Sequence, residues 1–279
     1  MSAVEQTTGS EITTIEHSMS SLANVMIVLV EPTHPGNIGS VARAMKTMGL
    51  SRLVLVNPKK YPHYEATKLA AGAESILLNA QVFATVDEAL SQCSMVIGTS
   101  VRDREVTWPT FTPRETAKRV HSHMEMPERQ VAILFGRESS GLTNAEMDLC
   151  QSQIRIPAND EYNSLNLASA VQIIAYELRM QFIECSRPID SGSINDSSKN
   201  DRQVAATKQQ RDGHIEHLQK TLEALDFIKA KPPTVLMRKL TRLYSKAMLT
   251  VEEIQILRGI LSSVQSKIDS SRAGRSESE

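Results

Sequence analysis

The sequence predicts an α/β protein, a parallel sheet with helices on both faces, followed by a small all-α unit. Three observations carry this. Between residues 25 and 185 short apolar runs alternate with segments of helical period, and repeated strand–helix alternation builds a parallel sheet. The runs VMIVLV and VAILFG are continuously apolar, as strands covered on both faces must be. From about residue 205 the strand pattern disappears and only helical spacing remains.

The elements follow in order. VMIVLV (25–30) is a buried strand. Behind it, IGSVARAMKTMGL places Val41, Ala44, Met45 and Met48 on one helical stripe, with Gly49 as its stop. RLVLVNP is a second buried strand, ATKLAAGAESILL is helical at least in part, AQVFAT is a weaker strand and VDEALSQC a short helix. SMVIGTS and VAILFG are two more strands. TPRETAKRV lies between them, where Thr112, Pro113 and Glu115 form a capping box with proline at the first helical position. Thr143 and Glu146 repeat the device in TNAEMDLC, QIRIPA is a further strand, and SLNLASAVQIIAYELRMQFIEC is a long helix with Asn163 or Ser164 as its N-cap. That helix is apolar nearly all round, which calls for cover on several sides; a twin subunit is the simplest source.

Boundaries follow from composition. Residues 1–23 are polar, carry three glutamates and no Lys or Arg, and read as a disordered tail rather than a signal peptide. Residues 24–185 form the α/β domain. Residues 186–204, rich in Ser, Asp and Asn, read as a linker. Residues 205–268 form the helical extension, its last helix opened by a third capping box, Thr250 with Glu253, and residues 269–279 read as a second tail. A unit of that size makes a thin core alone, so packing on the α/β domain or on another chain is expected.

The charge balance, 31 basic against 32 acidic residues, excludes a globally basic nucleic-acid binder; any such surface must be a local patch. Cys93, Cys150 and Cys185 are scattered, as in a reducing cytoplasm. No apolar run is long enough to span a bilayer. His214 and His217 could share a helix face, but a solvated face is favoured over a metal site because no third ligand is near.

Three stretches could carry chemistry. In PTHPGNIGSVAR two glycines precede a helix, but the lysine of a triphosphate loop and the GxGxxG of a dinucleotide turn are both missing. What remains is a helix N-terminus with free N–H groups, which favours an anion. Arg43 follows, either reaching over the turn or merely solvated. In FGRESSGL a strand ends at Gly136, Arg137 and Glu138. Gly136 would let a ligand approach the backbone, and Glu138 could accept hydrogen bonds or pair with an arginine; a surface ion pair is the plainer reading. IPANDEYNSLNLASAV is a strand end, a polar turn and a helix start. The long loop SVRDREVTWPTF holds Trp108, which either packs the loop down or stacks on a base. In the extension, Arg238, Arg242 and Lys246 recur every four residues, while Leu236, Leu240, Leu243 and Ala247 line another side. Phosphate contact and an ordinary solvated face are both open.

Taken together, HPGNIGSVARA, FGRESSGL and IPANDEYNSLNLASAV resemble the three signature motifs of the SpoU-type branch of the SPOUT RNA 2′-O-ribose methyltransferases, over about residues 24–185. SVARAMKTMGL, the linker and LMRKLTRLYSKAMLTVEEIQILRGIL extend the likeness to the bacterial members that methylate cytidine or uridine 32 of the tRNA anticodon loop. The resemblance implies a homodimer, a C-terminal trefoil knot in the sheet domain, and S-adenosyl-methionine as cofactor. It places the cofactor at Thr99, Ser100, Val101, Gly136, Ile156, Asn163, Ser164, Leu165 and Asn166, and the chemistry at Arg43, Asn37, Glu138 and Ser164. It assigns tRNA to Arg238, Arg242 and Lys246, and implies no metal and no membrane. A ribosomal RNA substrate or a catalytically silent RNA-binding paralogue are the alternatives.

Overall fold

The computed structural model describes residues 22–102, 108–125, 129–186, 204–228 and 234–276. They fall into two compact units, divided after residue 198. Most of the N-terminal tail and of the linker expected from the sequence lies outside the described residues.

The first unit is a seven-stranded sheet, parallel at every pairing, made of β1 (Val25–Val30), β2 (Arg52–Val56), β3 (Gln81–Phe83), β4 (Met95–Thr99), β5 (Thr110–Phe111), β6 (Val131–Phe135) and β7 (Ser152–Ile154). Their order across the sheet is β3-β2-β1-β6-β4-β7-β5. β1 and β6 are the centre, in register at Ile27 and Ile133, and every residue of both strands is buried. This is what their uninterrupted apolar runs require. β5 was not legible in the sequence: two residues between Pro109 and Pro113 show no period, and only pairing with β7 makes them a strand.

The helices of this unit are α1 (Pro35–Met48), α2 (Tyr64–Ala70), α3 (Glu74–Leu78), α4 (Val86–Leu90), α5 (Pro113–Met124), α6 (Asn144–Asp148) and α7 (Leu167–Ser186). Three sequence expectations change or sharpen here. The two glycines of the first motif lie inside the first turns of α1, not in a preceding turn; Pro35 already occupies N1. The segment read as helical at least in part holds two helices, α2 and α3, separated where Ala71 and Gly72 turn left-handed. The cap of α7 is neither Asn163 nor Ser164 but Asn166, whose Oδ1 accepts the N–H of Ala168 at 2.9 Å. The stop at Gly49 (φ 82°) and the boxes at Thr112 and Thr143 form as the sequence requires.

Gly39 shows how closely α1 and α2 pack. A Cβ there would lie 2.1 Å from the carbonyl oxygen of Ala66, so no larger residue fits without driving the two helices apart. Trp108 is 5% exposed and sits in the core under β4 and β6. The packing reading therefore holds and base stacking by this ring does not. Residues 103–107 of its loop are outside the described residues.

The second unit is α8 (Lys208–Ala224), α9 (Thr234–Lys246) and α10 (Val251–Ser276). The box at Thr250 and Glu253 opens α10. α10 continues eight residues beyond the end at 268 that the sequence suggested. His214 is not on a solvated face: it is 1% exposed, edge-on to Tyr244 with ring centroids 4.7 Å apart, and burial lowers its pKa. His217 Nε2 instead reaches Gln265 Oε1 at 3.1 Å. Among the described residues no cluster of His, Cys, Asp and Glu could hold a metal, and no helix is long and apolar enough to cross a membrane.

Candidate functional site

The carboxyl ends of β1, β4, β6 and β7 converge on one cavity of about 580 Å³, at the edge of an open parallel sheet where ligands bind. Each wall comes from one sequence stretch. After β4, Thr99, Ser100, Val101 and Arg102 form one side. After β6, Phe135 and residues 136–142 form the floor. After β7, Ile156, Tyr162, Ser164, Leu165 and Asn166 close over it, with Leu167 and Ala170 from α7. Asn37 is the contribution of α1.

Of the residues named from the sequence, Asn37, Thr99, Ser100, Val101, Gly136, Glu138, Ile156, Ser164, Leu165 and Asn166 line this cavity; Asn163 and Arg43 do not. Arg43 lies on the exposed side of α1. Six residues separate it from Asn37, which places it about 9 Å further along the helix and about 120° round from it.

Glu138 is the hub. His34 is the N-cap of α1 but its side chain caps nothing. The Glu138 carboxylate instead holds the residues that lead into the helix: it accepts the backbone N–H of Thr33 (3.1 Å) and of His34 (3.3 Å), and the Thr33 hydroxyl. It also accepts Asn37 Nδ2 at 2.9 Å. Asn37 Oδ1 in turn accepts Asn166 Nδ2 at 3.4 Å. One chain of hydrogen bonds thus joins all three motifs. Among the described residues Glu138 pairs with no arginine. That role falls to its neighbour Arg137, which donates to Glu31 (Nε to Oε2, 3.0 Å) and to both oxygens of Glu146 (3.0 and 3.1 Å). The hydrogen bond from Arg137 holds the Glu31 carboxyl below its ordinary range, against burial. Thr33 and Arg137 stood inside the motifs, but nothing in their spacing told which acid or amide each would meet.

Burial alone would raise the Glu138 carboxyl, but hydrogen bonds from the Thr33 and Asn37 side chains and from backbone N–H groups outweigh it and hold it at about 2, below the ordinary 4.5. Because the folded value is the lower one, the ionised form stabilises the fold above about pH 4.5, and this contribution is lost as the pH falls toward about 2. Glu138→Gln near neutral pH is expected to cost about 1–3 kcal/mol, the range for hydrogen bonds to a charged group. In denaturant melts the gap between the two proteins should close on acidification; a constant gap would remove the carboxylate from this role.

Gly136 serves a further purpose beyond the one its sequence suggested. A Cβ there would lie 2.1 Å from the carbonyl carbon of Gly141 and 2.2 Å from the nitrogen of Leu142. The glycine admits the protein's own loop, which folds back through the Arg137–Gly141 bridge, and it also lines the cavity.

In the extension, Arg238 and Lys246 are exposed and Arg242 is half-buried, all on α9. The side expected to be buried is corrected at Leu243, which is 62% exposed, and at Ala247, also exposed; Leu236 and Leu240 are half-buried, and Met237 is buried.

Residues 24–176 match the SpoU rRNA Methylase family, and residues 209–273 match the C-terminal domain of the tRNA methyltransferase TrmJ. The tRNA (cytidine/uridine-2′-O-)-methyltransferase TrmJ of Sodalis glossinidius is 46% identical over 88% of this chain and 92% of its own. The tRNA (cytidine/uridine/adenosine-2′-O-)-methyltransferase TrmJ of Pseudomonas aeruginosa is 44% identical over 88% and 95%. Among solved structures, TrmJ from Z. mobilis superposes with a TM-score of 0.71 at 35% identity, covering 86% of this chain and 98% of that one.

Proposed function

The chain belongs to the SpoU rRNA Methylase family, and from that premise we propose that it methylates the ribose 2′-oxygen of cytidine or uridine 32 in the tRNA anticodon loop, with S-adenosyl-methionine as donor. The observation that carries the reading is the hydrogen-bond chain Asn166–Asn37–Glu138, which assembles the three motifs at the rim of one cavity.

The cavity suits the donor. Phe135, Leu142, Ile154 and Leu167 give it apolar walls for a flat base, and Thr99, Ser100 and Ser164 give polar rims. Glu138 is held ionised, while the one positive charge of Arg137 is matched by two carboxylates. A sulfonium fits the Glu138 side of the cavity, while Arg102 stands in another wall. The bound donor supplies an activated methyl group for in-line displacement. Closure of residues 155–166 over the strand ends is the place where we put a trefoil knot, the threading that lets one chain wrap this cavity from both sides.

The protein's own part is alignment and charge. A ribose hydroxyl is a weak nucleophile near neutral pH, so negative charge grows on its oxygen as the bond forms. Arg43 holds the adjacent phosphate in a fork and stabilises that charge. Its part is orientation and charge, not that of a base; Ser164 or the phosphate relays the proton. Since Arg43 stands outside the cavity of its own chain, the site is completed in a homodimer, where the ribose lies between one chain's cavity and its partner's α1. The exposed Tyr162 and Tyr176 beside the cavity, and Ile256 and Ile260 on α10, leave apolar surface for such a partner. The compartment is the cytoplasm, where tRNA is modified.

Arg238, Arg242 and Lys246 grip the tRNA. Their triple alanine variant is expected to weaken tRNA binding and to lower the salt slope by roughly 2 to 3, with cofactor affinity unchanged; equal loss of both in titrations would count against the assignment. The reading as a whole is tested with methyl-labelled donor and tRNA, followed by nucleoside mapping. Label on the ribose of nucleotide 32 supports it, and label elsewhere or on no tRNA overturns it.

A further inference from the structure

We propose that the segment joining β2 to α2, with the outer face of α2 (residues 57–70), is a second RNA-docking surface that grips unpaired nucleotides beside the methylation site. The proposal rests on the tRNA reading above and adds a surface to it. The segment is basic in a chain whose net charge is −1: Lys59, Lys60 and Lys68 are exposed, against the single acid Glu65. Tyr64 is 76% exposed, and its ring is backed by that of His63, with centroids 4.8 Å apart and planes at 36°. An aromatic ring left in solvent between lysines contributes nothing to the core, whereas it suits an unpaired base flanked by phosphates.

The segment is held rigidly for this task. Asn57 N–H donates to Phe83 O at 3.0 Å, Lys59 N–H to Pro32 O at 3.1 Å, and the Tyr61 hydroxyl to Leu77 O at 2.5 Å. The backbone bond to Pro32 sets Lys59 one residue from Thr33, which binds Glu138 at the cavity rim. The charge of Lys59 also reaches the Glu31 carboxylate. On α2, Glu65, Ala66 and Leu69 meet the glycines of α1, so Tyr64 and Lys68, one turn apart, share the outer face. On α1, Arg43 follows Gly39 by four residues and so lies on the side that borders α2. The surface and Arg43 therefore flank the same helix pair, and RNA crossing that pair meets both.

The test uses the full chain and an unmodified tRNA transcript. Lys59→Ala with Lys60→Ala should weaken tRNA binding and lower the salt slope by about 1.4, for two lost contacts to a single strand. Tyr64→Ala should weaken binding roughly 5- to 150-fold, and Tyr64→Phe, which keeps the ring, should restore it. Donor affinity should be unchanged in all three variants, which also shows that they are folded. If the wild type methylates tRNA and these variants bind it with unaltered affinity and salt slope, this surface is wrong and the tRNA reading stands. If the wild type neither binds nor methylates tRNA, both fall.

Discussion

Replacing Arg43 with alanine lowers methyl transfer by roughly 10²- to 10³-fold, the range for losing one pre-aligned donor to a developing oxyanion, and leaves the affinity for S-adenosyl-methionine as it was. The split follows from position. Arg43 is absent from the cavity wall and sits on the exposed side of α1, so the proposed role places it on the RNA and not on the donor. Arg43→Lys keeps the charge and loses the planar fork; its rate should fall between the two. If, as proposed, the site is completed by a second copy, mixing Arg43→Ala chains with chains unable to bind donor should restore part of the activity. Calorimetry with the donor, rates with tRNA and the mixed-chain assay check these points. Full activity in Arg43→Ala would end the assignment of Arg43, and no recovery in mixed dimers would end the shared site.

The second large effect is expected at Gly136. An added methyl group would lie 2.1–2.5 Å from three backbone atoms of Gly141 and Leu142, and backbone cannot turn aside as a flexible side chain can. Gly136→Ala should cost about 1–3 kcal/mol of stability by overpacking. It should also push the loop of residues 137–142 out of place, and with it the floor of the cavity. We expect donor affinity to fall by about tenfold or more, the equivalent of about 1.4 kcal/mol or more. Glu138 moves with that loop, so its hold on Thr33, His34 and Asn37 loosens too. A thermal melt and a donor titration on the same sample read both effects. Wild-type donor affinity in Gly136→Ala would show that the loop does not shape the cavity.

Local rules made much of the fold readable in advance. Continuous apolar runs marked β1, β2, β4 and β6, because a strand buried on both faces has no polar side to show. Threonine three residues before glutamate marked the starts of α5, α6 and α10, and Gly49 marked the end of α1. Where the signal was short or depended on a neighbour, it failed. β5 is two residues long and exists only by pairing with β7. The start of α7 moved from Ser164 to Asn166 because several polar residues in that turn could cap, and only the final path of the chain chooses among them.

The sequence alone determined the α/β class, the three motifs at strand ends, and through them the family, since these depend on residue order over short distances. The tertiary structure decided which groups meet across a hundred residues: that Glu138 holds Thr33, His34 and Asn37 at the start of α1, that Arg137 carries the ion pairs to Glu31 and Glu146, that Gly136 makes room for its own loop, and that Arg43 stands outside its own cavity. The reason is physical. A turn or a cap is set by torsions and hydrogen bonds within a few residues, whereas a partner distant in sequence is selected only when the whole sheet is in register and every buried polar group must find its match.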